Sequence, residues 1–248
     1  MKPAKIIFIA LLLMIFASLL EPAYAQRQRR SKASARAVLW RDPGDIQSQN
    51  LLYGSGSAET APLAPFRFIK ESSKGESPKF DVKDARGVVW TVKLGEEAQS
   101  ETVSTRLVWA VGYFAEEAYY FDEVQIENLP KLKRGRDFVL TDGTVVGARF
   151  EPERPQLADG PVWDWQDNPF RGTRQLSGLK ILMILLNNFD ARKDNNKIYY
   201  APGAGGRYEA RYYVTDLGAT LGRSGGLGGK RTKNDREDFL STRFERGV

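Results

Sequence analysis

Val88-Val89-Trp90-Thr91-Val92-Lys93-Leu94 is the stretch on which the fold turns. β-branched and aromatic residues fill it, which suits a pleated, half-buried strand. Gly95 breaks the run, and Glu96 to Gly112 then reads as a helix. Val103, Leu107, Ala110 and Val111 recur along it at helical spacing. Acidic residues crowd its first turn, where the helix dipole favours them.

On the upstream side, Pro65 to Lys70 alternates like a strand, and Lys79 to Asp84 reads as another. The polar turn Ser72 to Pro78 separates them, and Ala85-Arg86-Gly87 leads into the central stretch. Three strands with tight turns predict an antiparallel meander packed with the helix. Downstream, Tyr119 to Ile126 is strand-like, and Thr141-Asp142-Gly143 marks a hairpin within Asp137 to Phe150. Residues 151–173, rich in Pro, Asp and Trp, read as an irregular connection.

Ser177 to Leu186 is the most apolar run beyond the N-terminus, and its composition predicts a helix buried on nearly all sides. It runs into the polar segment Asn187 to Asn196. Two aromatic strands follow, Lys197 to Tyr200 and Arg207 to Thr215, ending in Asp216-Leu217-Gly218. Residues 222–237 are rich in Gly, Arg and Lys and read as a mobile run.

The first 25 residues read as a signal peptide. Lys2 and Lys5 precede the apolar run Ile6 to Leu20, and Ala23-Tyr24-Ala25 places small residues where a signal peptidase reads. Cleavage is expected before Gln26, which predicts an extracytoplasmic protein, periplasmic or secreted, with no membrane span after cleavage. Residues 26–62 read as a flexible linker, 63–128 as a strand meander with a helix, and 129–248 as a second region.

The whole chain carries 37 basic and 31 acidic residues. That mild excess is spread along the chain and does not point to a specific nucleic acid. No cysteine is present, so disulfides and thiol chemistry are excluded. No histidine is present either. A Ser-His-Asp triad, a histidine metal site and a histidine general base are therefore excluded. Gly222-Arg223-Ser224-Gly225-Gly226 fits a nucleophile-elbow pattern, but no histidine can take the serine proton. Ser177-Gly178-Leu179-Lys180 fits a serine–lysine pattern, but its partner motifs are absent and a serine there is more often a helix N-cap.

A more specific order runs through the whole chain. Lys93 ends a strand, Glu101 lies in the next helix, and Asp190 follows the apolar helix. Asn195 comes five residues later, and Asp216-Leu217-Gly218 follows the two-strand hairpin. This order resembles the protein-kinase-like superfamily, and Val214 to Gly218 carries the best single match. Asn188 and Phe189 stand where ordinary kinases have His-Arg, and Lys93 and Glu101 are only eight residues apart. The resemblance is therefore to atypical branches, HipA-like or phosphatidylinositol-kinase-like.

The resemblance implies an α+β, two-lobed kinase-like fold. Residues 63–128 would form the N-lobe, with an antiparallel sheet plus a helix. Residues 129–248 would form a short, mainly helical and incomplete C-lobe with a β-hairpin. It also implies Mg²⁺- and ATP-dependent phosphotransfer to an unknown hydroxyl acceptor, on a protein or a small molecule. Lys93 would hold phosphates, Glu101 would orient Lys93, and Asp190 would position the acceptor. Asn195 and Asp216 would hold magnesium, and Ser73, Lys74 and Gly75 would cover the phosphates.

Two other readings stay open. One is a non-catalytic extracytoplasmic binding or envelope-associated module, with Trp163, Trp165 and Tyr199, Tyr200, Tyr208, Tyr212, Tyr213 lining a groove. The other is a carboxylate-based glycoside hydrolase using Asp164 and Asp167.

Overall fold

Trp90, Val92 and Leu94 point to one side of their strand and are almost fully buried, and this alternation builds a barrel. The computed structural model describes residues 34–73, 75–153, 158–203, 205, 207–223 and 230–241. In chain order the first elements are β1 (Arg36–Val38), β2 (Phe66–Ser72), β3 (Lys79–Lys83) and β4 (Val89–Leu94). Then come helix α1 (Glu97–Ala110), β5 (Phe114–Ala115), β6 (Tyr119–Glu127), β7 (Thr144–Pro152) and β8 (Ala158–Asp159). Helix α2 (Arg174–Leu185), β9 (Asn196–Pro202), β10 (Tyr208–Val214) and helix α3 (Arg236–Ser241) complete the described chain.

β2, β3 and β4 form the expected antiparallel meander. β4 pairs with β7 and β7 with β6, both antiparallel. A short parallel pairing of β6 with β2, at Phe66–Ile126 and Arg67–Glu127, closes the ring. The interior holds Phe66, Phe80, Trp90, Val92 and Phe150, with Phe66 and Phe150 ring centroids 4.9 Å apart. A closed ring leaves no unpaired edge for another strand to join.

The second sheet runs β1-β10-β9-β8, with β5 also on β10. Helix α2 packs on it through Leu176, Leu179 and Met183, and Val108 of α1 joins the same core.

This architecture corrects the expected fold. The protein is α+β, but it is not a two-lobed kinase-like fold with a mainly helical C-lobe. Five strands, β2, β3, β4, β6 and β7, close into a barrel, and the last of them comes from the region expected to be the C-lobe. The second half is built around a sheet, with two of the three α-helices found among the described residues. The physical reason lies in residues 196–214, where Tyr, Ile and Val favour pleated pairing over helix. Within the stretch read as linker, Arg36–Val38 forms β1, in parallel register with Glu209–Arg211. Residues 1–25, read from the sequence as a signal peptide, lie outside the described residues.

Both helices differ from expectation in which face they bury. In α1 the spacing is right and Ala110 is buried, but the preceding turns are out of phase. Val103 and Leu107 face solvent, while Ser100, Glu101, Ser104 and Thr105 are buried. The buried face is polar because it meets polar groups. Ser100 donates to the Gly218 carbonyl at 2.9 Å, and the Ser104 and Thr220 hydroxyls share a 2.7 Å hydrogen bond. In α2, Thr173 rather than Ser177 is the N-cap, accepting from the Leu176 amide. Ile181 and Leu185 are 57% and 50% exposed, so one side of this helix is open.

Candidate functional site

The site begins with the pleat of β4 and β7. Lys93 and Arg149 are cross-strand partners and lie on the outer face of the barrel wall, opposite the apolar side chains. Helix α1 covers that face and brings Glu97 and Glu101, one turn apart, over the two cations. The Lys93 ammonium then makes three close contacts: Glu97 at 2.8 Å, Glu101 at 2.9 Å and Asp216 at 3.0 Å. Glu101 is shared, since its other oxygen lies 3.4 Å from Arg149. Arg149 also meets Glu116 at 3.7 Å and Glu151 at 3.0 Å.

Asp216 reaches Lys93 from the end of β10, with a left-handed backbone (φ 51°) that aspartate tolerates better than most residues. Behind it Gly218 packs so closely on α1 that a Cβ there would lie 2.7 Å from the Glu97 Cβ. Glu97 also accepts from Lys233 at 2.6 Å and from the Ser77 hydroxyl at 2.8 Å. The connected ionic cluster holds three cations, Lys93, Arg149 and Lys233, against five carboxylates, Glu97, Glu101, Glu116, Glu151 and Asp216. The surplus is negative, and it opens to solvent at Asp216, whose side chain is 52% exposed.

Charge states follow from this packing. Burial pushes the Lys93 ammonium down, but Glu101, Asp216 and Glu97 outweigh it, and the net shift is upward. Arg149 behaves likewise. Burial pushes Glu97 up, and Lys93, Lys233 and Ser77 pull it down to about 2. Lys93 and Glu97 are therefore charged throughout the neutral range.

The loop after α2 supplies the remaining groups. The Asn195 amide donates to the Asp190 carbonyl at 2.8 Å and to its carboxylate at 3.0 Å. The Asp190 carboxylate also pairs with Arg192 at 2.7 Å. The Thr215 amide donates to the Asn195 carbonyl at 2.8 Å, which fixes this loop directly beside Asp216.

Of the residues expected from the sequence, Lys93, Glu101 and Asp216 come together in direct contact. Asp190 and Asn195 form a second contact pair, joined to the first through Thr215. Ser73 and Gly75 lie in the β2–β3 turn without a hydrogen bond to Lys93. The turn reaches the site through Ser77 instead, and Lys74 lies outside the described residues. Trp163 is core rather than groove: it is buried, and its indole donates to the Tyr213 carbonyl at 2.7 Å. Sequence reading missed Glu97, Arg149, Ser77 and Lys233. Glu97 had a signal, one helical turn before Glu101, and Arg149 had one in the alternation of its strand. Lys233 had none.

Among the described residues no group of three or more Asp or Glu is spaced to hold a metal ion. The Asp216 carboxylate, one oxygen of which meets Lys93, and the Asn195 side-chain carbonyl, whose amide nitrogen is turned to Asp190, are oxygen donors on adjoining segments. Two hard oxygen donors fit magnesium, which commonly takes one or two carboxylates and completes its shell with water and substrate phosphate. No family model, curated protein or solved structure matches the chain. No helix among the described residues is long and apolar enough to cross a membrane.

Proposed function

We propose that the Lys93 site binds nucleotide phosphates with magnesium and transfers a phosphoryl group to a hydroxyl acceptor, in a protein exported from the cytoplasm. The observation that carries this reading is the convergence on one ammonium of Glu101, from a helix, and Asp216, from a strand end 123 residues away. Phosphoryl transfer needs positioned charge more than an unusual nucleophile, which suits a chain without His or Cys.

Lys93 would leave Asp216 and neutralise phosphate oxygens, while Glu101, anchored by Arg149, holds the ammonium in place. Asn195 and Asp216 would hold magnesium, which supplies charge neutralisation at the phosphates when bound. Asp190 would orient the acceptor hydroxyl and take its proton. The new P–O bond forms at the terminal phosphorus as the bond to the leaving diphosphate oxygen breaks.

The test is transfer of labelled terminal phosphate from Mg-ATP. Asp190→Ala and Asp216→Ala are each expected to abolish transfer while the protein stays folded. Full transfer by either variant overturns the assignment of that residue.

One observation favours a second reading, a module that binds without transfer. Both Asp190 carboxylate oxygens are engaged, one by Arg192 and one by Arg192 and Asn195 together. Nucleotide binding by the wild-type protein with no transfer to any hydroxyl would select that reading.

A further inference from the structure

We propose that the open side of α2, beside the Asp190 loop, docks an acidic peptide segment carrying an apolar side chain. The proposal rests on the phosphotransfer reading for its role, which is to present the acceptor. The docking surface itself stands on separate observations.

A cavity of about 660 Å³ opens next to this loop. Trp165, Met183 and Ile184 line its apolar side, and Lys180 and Lys193 set cations around it beside the carboxylate of Asp164 and the Arg192–Asp190 pair. Arg192 also lies against Asp190, so the cavity and the proposed acceptor-positioning group share one side chain. Lys180 and Lys193 have no carboxylate partner among the described residues. Their charges are free to meet an anion.

The apolar surface does not end at the cavity rim. Ile181 and Leu185, one turn apart on α2, continue it around the helix and are at least half exposed. Single exposed apolar side chains are ordinary, but a contiguous strip joined to an apolar cavity marks a surface that meets a partner. The charge on the rim chooses among partners. A second copy of this face would bring Lys180 and Lys193 against like charges, whereas an acidic peptide would pair with them.

The probe is a fluorescein-labelled random copolymer of glutamate and tyrosine, with a lysine–tyrosine copolymer as the control. Binding is read by anisotropy on the full chain without nucleotide. The wild-type protein is expected to bind the acidic copolymer and not the basic one, more weakly as salt rises. The double variant Lys180→Glu/Lys193→Glu changes two exposed side chains and is expected to lose roughly tenfold or more in affinity. Ile181→Ser is expected to weaken binding as well.

The melting-temperature response to Mg-ATP should be unchanged in all these variants, which separates the docking surface from the nucleotide site. Equal binding by wild type and double variant overturns the proposal. So does equal binding of the basic copolymer, or a wild-type dimer that Ile181→Ser converts to monomer. Binding of the acidic copolymer without phosphate transfer sustains the docking surface and counts against the phosphotransfer reading alone.

Discussion

The Lys93 ammonium lies 3.0 Å from the Asp216 carboxylate, across 123 residues of sequence. One contact thus ties the barrel wall to the end of the second sheet. Glu97 and Glu101 make Lys93 the shared cation of three carboxylates. Lys93→Met should therefore do more than remove a ligand contact. It takes one counterion from two largely buried carboxylates, leaving Glu101 to Arg149 and Glu97 to Lys233, so the loss should fall below the roughly 3–5 kcal/mol of a fully uncompensated buried charge. The double variant Lys93→Met/Glu101→Gln should regain part of that loss. Denaturant midpoints of the wild type, the two single variants and the double variant measure the coupling. Additive losses would mean that the two side chains do not act as a pair.

Gly218 is the close approach between α1 and the Asp216 segment. In Gly218→Ala the new methyl would sit 2.7 Å from the Glu97 Cβ, an atom fixed to the helix backbone. Helix α1 or the 216–218 segment must move, so the variant should melt lower and respond less to Mg-ATP. A melting curve and nucleotide response equal to wild type would show that the two segments can separate at no cost.

Acid should act through Glu97. Its ordinary value is 4.5, and in the folded protein it lies at about 2. A depressed folded value stabilises the fold above the unfolded value, and the contribution is lost as pH falls toward the folded one. Stability should thus decline between pH 4.5 and 2, and Glu97→Gln should flatten that part of the profile. The measurement is unfolding free energy against pH for both proteins.

Export is testable independently of the site. Protein recovered from outside the cytoplasm of an expressing bacterium should begin at Gln26, by mass spectrometry of its N-terminal peptide. Recovery only inside the cytoplasm with Met1 retained would contradict the signal-peptide reading.

Part of this structure was legible in advance, and the reasons differ by residue. The strand at 88–94 and its meander were readable because period-two alternation survives in the final packing. Lys93, Glu101 and Asp216 were found from their order along the chain, which the resemblance supplied. The closed barrel was not readable, because its closing step is a two-pair parallel contact between Phe66–Arg67 and Ile126–Glu127, with no local signature. The buried face of α1 was misjudged for a physical reason. Hydrophobicity assigns Val103 and Leu107 to the core, but the partners waiting there are Lys93, Arg149, the Gly218 carbonyl and Thr220. Polar side chains go inward when the core offers charges and hydrogen-bonding groups to satisfy them. In the second sheet only β9 and β10 were readable as strands, while β1 and β8 fell in stretches read as linker and irregular connection, and the kinase-like resemblance predicted helices around the hairpin.

The central claim is that this ionic cluster is a magnesium–nucleotide site, and melting of the full chain with and without Mg-ATP tests it most directly. A ligand at about 100 times its dissociation constant adds about 2.7 kcal/mol, or roughly 5–10 °C for a chain of this size. The wild-type protein should show that rise with Mg-ATP, a smaller one with ATP and a chelator, and Asp216→Ala should lose the magnesium-dependent part. No rise at saturating Mg-ATP, or an equal rise in Asp216→Ala, would contradict the claim.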